Sequence, residues 1–252
     1  LYDCIAMNKM PGQRYQRIFL LSHMRAYSSL IGHILGSHPH INGYYEMHLS
    51  YTSASDLDQQ LRLYMQTETP EPGSIYLFDK LLHNGYTLDT HILAGTDYRI
   101  LVSIRSPGNS LKSIIHLFQA KQGEQPYADP DQATDYYIQR LKSLADFSRM
   151  NTARYYYFDA ELIKTDSRKL LQALTRWCEL TPPLSDRYQT FPLTGKARAG
   201  DSSELISRGK IETSENNYPG VRLEAQHISR AEQAYAEYRE MILRNARESL
   251  TL

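Results

Sequence analysis

Short apolar runs punctuate an otherwise polar chain. The first, Arg17-Ile18-Phe19-Leu20-Leu21, has no polar alternation, which predicts a strand buried on both faces of a parallel sheet. Ile75–Phe78, Arg99–Ile104 and Tyr155–Phe158 read the same way. Elsewhere the apolar positions take the helical spacing. Ser28–Leu35 predicts a helix that ends near Gly36, with His38-Pro39 as its stop. Asn109–Ala120 places Leu111, Ile114, Ile115 and Phe118 on one face. Asp131–Met150, Ser167–Glu179 (stopped by Pro182-Pro183) and a closing His227–Leu250 predict three more helices. Thr190–Asn217 is polar and rich in Gly, Ser and charge, so it predicts a long functional loop. Strands alternating with helices predict one α/β domain over residues 1–252, with a mostly parallel sheet flanked by helices.

Composition narrows what such a domain does. The 28 Lys and Arg balance 28 Asp and Glu, so no overall field favours a nucleic-acid polymer, a membrane or a polyacid, and an anion site must be built locally. Two cysteines, Cys4 and Cys178, exclude a disulfide framework and a structural zinc site. No apolar run approaches the roughly 20 residues of a membrane span, and no secretory pattern is present. A cytoplasmic location is the expectation. The chain opens on Leu1, so an anchor lost with a preceding segment would place it in the Golgi or at a membrane instead. The 20 tyrosines against one tryptophan read as amphipathic core and rim residues.

The turn Ser22-His23-Met24-Arg25-Ala26-Tyr27-Ser28-Ser29 joins the first strand to the first helix. A helix N-terminus presents free N–H groups and partial positive charge. Ser28 and Ser29 add hydroxyl donors, and Arg25 adds a cation that can fork onto two oxygens. The same residues also read as an ordinary capped helix beside a surface arginine. The Gly-Lys-Ser/Thr ending of a Walker A loop is absent, which argues against an ordinary nucleoside triphosphatase.

Arg25-Ala26-Tyr27-Ser28-Ser29-Leu30-Ile31, running on to Leu35-Gly36-Ser37-His38-Pro39, resembles the 5′-phosphosulfate loop of the sulfotransferases, although Ala26 and Tyr27 replace the family's Ser-Gly. Arg105 at the end of the 99–104 strand, with Ser113 eight positions on, is similar to the family's 3′-phosphate motif. Phe158-Asp159-Ala160-Glu161-Leu162 resembles its strand-ending Tyr-Glu-Asp-Leu segment. Gly200-Asp201 through Gly209-Lys210-Ile211 resembles the C-terminal Gly-Asp segment that closes over the nucleotide in some bacterial and Golgi members. Lys196, Arg198, Arg208 and Lys210 are candidate cations in that loop.

The resemblance implies a P-loop-like sulfotransferase fold. It also implies 3′-phosphoadenosine 5′-phosphosulfate (PAPS) as donor, adenosine 3′,5′-bisphosphate as product and no metal. Arg25, Ala26, Tyr27, Ser28 and Ser29 would hold the phosphosulfate, and Arg105 and Ser113 the 3′-phosphate. Glu46 in Gly43-Tyr44-Tyr45-Glu46 matches the catalytic Glu of tyrosylprotein and carbohydrate sulfotransferases, with His48 as a second base or an orienting partner. Lys80 and His83 match the Lys and catalytic His of cytosolic members, so His83 rivals Glu46 as base. Sugar, lipid, tyrosyl and carrier-bound polyketide hydroxyls all remain open as acceptors, and residues 49–72 and 121–131 are expected to shape their pocket. A phosphoryl-transfer enzyme on the same fold and a non-catalytic nucleotide-binding module are the alternative readings.

Overall fold

The computed structural model describes residues 15–94, 97–196, 204–213 and 217–252. Its strands are β1 (Gln16–Leu21), β2 (Ile41–Asn42), β3 (Tyr76–Leu81), β4 (Tyr98–Ile104), β5 (Tyr156–Asp159) and β6 (Glu248–Leu250). They form one sheet in the order β2-β3-β1-β4-β5-β6, and every neighbouring pair is parallel. The helices are α1 (Ser28–Gly36), α2 (Ala54–Thr67), α3 (Pro107–Gln119), α4 (Pro130–Met150), α5 (Leu162–Thr165), α6 (Ser167–Trp177) and α7 (Ala225–Asn245). No described helix is long and apolar enough to cross a membrane.

The continuous apolarity of the strands follows from burial on both faces. Successive side chains of a strand point to opposite sides. Ile18, Leu20, Phe78, Leu101 and Phe158 accordingly pack with Leu30, Ile31 and Ile34 of α1 and Leu170 and Leu174 of α6. Phe19, Leu21, Ile100, Val102 and Ile104 enter the opposite layer, against α3, α4 and α7. Each fully buried aliphatic side chain contributes roughly 1.5–3 kcal/mol relative to exposure. Tyr44, Tyr51, Tyr137, Tyr155 and Tyr157 are among the largest fully buried side chains, so much of the tyrosine content is core.

Two differences from the sequence pattern matter. The closing helix stops at Asn245, and Glu248–Leu250 becomes an edge strand on β5. Ala246 turns extended, and the Arg247 amide donates to the Tyr155 carbonyl, so the sheet edge captures backbone groups a longer helix would have used. The second difference is α2, within the stretch expected to shape an acceptor pocket. Asp56 caps its start by accepting from the Ser53 amide at 2.8 Å.

β1 stands between β3 and β4, so the loops leaving the carboxyl ends of these three strands emerge side by side. That crevice is where open α/β sheets bind ligands.

Candidate functional site

The loop after β1 is shaped before it reaches α1. The Ser22 hydroxyl donates to the Ser103 carbonyl at 2.8 Å, tying β1 to β4. His23 is fully buried. Its Nδ1 lies 2.8 Å from the Met24 carbonyl and its Nε2 accepts the Arg105 amide at 2.9 Å, a pair of partners that fixes the neutral Nδ1–H tautomer. Burial holds its pKa down to about 4, with the Arg105 charge adding to the effect. Arg25 and Tyr27 then take left-handed backbone, at φ 63° and 57°. Tyr27 is the N-cap of α1 and adopts the conformation that the family's glycine reaches freely.

Side chains from both arginine-bearing segments meet at this loop. Arg25 Nε donates to the Ser113 hydroxyl at 2.8 Å, and Arg105 Nη1 donates to the Arg25 carbonyl at 3.1 Å. The Arg105 guanidinium stacks over the Tyr27 ring at 4.2 Å. From β3, Lys80 Nζ donates to the Ser29 hydroxyl at 3.0 Å although the lysine is only 1% exposed. Ala26 and Ser28 of the loop are buried, and the first turn of α1 carries no acidic side chain. Lys121, just beyond α3, lies close enough to Arg25 that burial and this neighbouring charge together lower its pKa. It was not singled out from the sequence, and neither was Tyr218, whose hydroxyl accepts from Ser113 at 2.9 Å.

The three candidate bases also come together. Glu46 is buried, and its Oε1 receives no hydrogen bond. His48 Nδ1 lies 3.7 Å and His83 Nε2 3.9 Å from that oxygen. Burial lowers the His83 pKa; Glu46 opposes the shift, while Arg140, His48 and Lys121 add to it. The segment bearing Glu46 approaches α1 closely, because a Cβ on Gly32 would stand 2.4 Å from the Tyr44 carbonyl oxygen. Asp79 and Arg140, both missed as site residues in the sequence, buttress this half. Asp79 accepts the Met47 amide at 3.0 Å. Arg140 Nη2 donates to the Leu81 carbonyl at 2.6 Å, and its Nε to the Ser22 carbonyl at 2.8 Å.

The segments around Asp159-Glu161 and Arg208-Lys210 have structural partners. Glu161 accepts the Ser106 amide at 2.8 Å and hydroxyl at 2.6 Å, fixing the turn after Arg105. Asp159 takes both Nε and Nη2 of Arg239 and so ties α7 to β5. Arg208 and Lys210 pair with Glu212 and Lys196 is exposed, while Arg198, Gly200 and Asp201 lie outside the described residues. Among the described residues, no group of three or more His, Cys, Asp or Glu side chains is arranged to hold a metal ion.

No protein-family model matches the chain, and no curated protein sequence does. Solved structures do match in fold. The sulfotransferase domain from the curacin biosynthetic pathway superposes with a TM-score of 0.60 at 14% identity, covering 90% of this chain and 98% of that one. The sulfotransferase domain from the Synechococcus PCC 7002 olefin synthase gives 0.60 at 20% identity, covering 91% and 96%. The chain has the parallel α/β fold of these domains along almost its whole length.

Proposed function

We propose that the chain is a sulfotransferase that moves a sulfuryl group from PAPS to an acceptor hydroxyl. The convergence of Arg25, Ser29, Lys80, Arg105 and Ser113 at neighbouring strand ends carries this reading. In it the α1 N-terminus with Arg25, Ala26, Tyr27, Ser28 and Ser29 holds the 5′-phosphosulfate. Arg105 and Ser113 hold the 3′-phosphate, and Gly200-Asp201 closes over the nucleotide. The bound donor supplies an activated sulfuryl group. Lys80 neutralises charge growing on the leaving-group oxygen, a task that fixed cations perform without a metal.

Glu46 takes the proton from the acceptor hydroxyl. Its bare Oε1 supports that role, because a buried carboxylate oxygen accepting no hydrogen bond is poised to accept one. His83 and His48 stand beside it as orienting partners and as the alternative bases.

The deciding experiment is calorimetric titration with adenosine 3′,5′-bisphosphate, compared with 5′-AMP and repeated on Arg105→Ala. The expected result is a clear preference for the bisphosphate. Its affinity should fall about 10- to 100-fold in the variant, as loss of a charge-assisted phosphate contact requires. Equal binding of AMP, or no binding, would remove Arg105 and Ser113 as a 3′-phosphate site and the sulfotransferase reading with them.

A further inference from the structure

Asp79 is fully buried in the middle of β3, facing Phe19 of β1 in register. A carboxyl group there is costly, since desolvation disfavours it and an apolar side chain would pack at least as well. What the position gains is three hydrogen bonds directed at one neighbouring segment and at β3 itself. Oδ1 accepts the Met47 amide at 3.0 Å and the Lys80 amide at 2.7 Å. Oδ2 accepts the Tyr51 hydroxyl at 2.6 Å.

Met47 follows Glu46 directly, so a bond to its amide fixes the peptide plane that leaves Glu46. Tyr51 closes the same segment and is itself tied down, with its amide donating to the Thr87 carbonyl and its carbonyl accepting from the Asp89 amide, each at 2.8 Å. The alternation of a strand does the rest. Asp79 points to the face where Met47 and Tyr51 lie, and Lys80 points to the face where Ser29 lies.

We propose that Asp79 is a positioning residue that holds the Glu46 segment in register with Lys80, so that β3 sets the separation between the proton acceptor and the leaving-group cation. This rests on the roles given above to Glu46 and Lys80. The bonds from the amides to the carboxyl oxygen, rather than any charge, carry the effect.

The test reads Glu46 through its neighbour, by NMR titration of protein labelled with carbon-13 at the histidine Cε1. The groups whose charges act on His83 are Glu46, Arg140, His48 and Lys121. Glu46→Gln should move the His83 midpoint to lower pH, because the carboxylate that favours the imidazolium is gone. Asp79→Ala frees the Met47 amide, and the His83 midpoint should move the same way by at least half as much. Asp79→Asn keeps an oxygen for both amides and should titrate like the wild type. Should Asp79→Ala fail to fold, Asp79→Ser, whose single hydroxyl cannot serve both amides, is read in its place with the same expectation.

An unmoved His83 in Asp79→Ala overturns the proposal, as does an Asp79→Asn shift as large as that of Asp79→Ala, or no shift in Glu46→Gln. Bisphosphate affinity, measured alongside, should stay within about threefold of wild type in each Asp79 variant. Failure of the wild type to bind the bisphosphate counts against the donor reading, while the histidine titration judges Asp79 by itself.

Discussion

His23 shows how much of a site rests on residues that touch no substrate. As neutral imidazole it accepts the Arg105 amide, and protonation would replace that acceptor with a second donor. Its folded pKa of about 4 lies below the unfolded 6.5, so the unfolded chain takes up this proton first as pH falls. The stability contributed by neutral His23 is therefore complete above about pH 6.5 and is lost as pH falls towards 4, by about 3 kcal/mol in all. Asp79 works the other way: burial pushes it up to about 7, so its contribution is present in acid and declines as pH rises from 3.8 to 7. The wild-type profile is consequently flattened, and a difference measurement isolates the histidine. In urea unfolding, the stability gap between wild type and His23→Gln should shrink by about 3 kcal/mol between pH 7 and pH 4. A constant gap would show that His23 does not stay neutral. Residue type and strand-end position made Arg25 and Arg105 legible in the sequence. His23, two positions before Arg25, carried no such mark, because its role depends on burial and on an amide 82 residues distant.

Elements raise the same contrast. The strands were legible because burial on both faces leaves a continuous apolar run, and α1, α3, α4 and α6 because each keeps an apolar stripe. α2 was not, since most of its surface is exposed and only Leu57, Gln60 and Tyr64 are buried. β6 was hidden as well: three residues that pair only at an edge have no periodicity to show. Within α4, the helical pattern gave no reason to separate Arg140 from the other charged residues of that helix. It is nonetheless 4% exposed and stitches α4 to the carboxyl ends of two strands, through the Ser22, Leu81 and His83 carbonyls. Arg140→Met would take its donor from the Ser22 carbonyl and strip the Leu81 and His83 carbonyls back to the Ser22 and Tyr86 amides alone. The expected loss is about 3 kcal/mol, or roughly 6–12 °C in Tm. Arg140→Lys should recover little of it, because a compact ammonium cannot fork onto carbonyls of two strands. A variant with Tm within about 2 °C of wild type would mean the clamp contributes nothing.

At the scale of the molecule, the strand order decides where everything meets. β1 lies between β3 and β4, so the Arg25 loop, the Lys80–His83 strand end and Arg105 leave the sheet together although far apart in sequence. The alternating elements and the two arginine motifs implied that neighbourhood. Overall neutrality spoke only against a polyanionic acceptor and left sugar, lipid, tyrosyl and polyketide hydroxyls undistinguished. If the proposed donor site is right, one ligand bridges three loops at once, and it should suppress their local opening. Saturating bisphosphate is therefore expected to slow amide hydrogen exchange in residues 22–30, 81–84 and 105–113, and to leave the β5–β6 edge unchanged. At a ligand concentration of 100 times Kd, the protected amides should gain up to about 2.7 kcal/mol, the limit set by mass action. Slowing confined to residues 22–30 would mean that the ligand rests on the α1 N-terminus alone and that the two arginine motifs do not act as one site. Slowing across all three loops ties the bisphosphate to the strand order itself, because no single loop of this sheet can produce it.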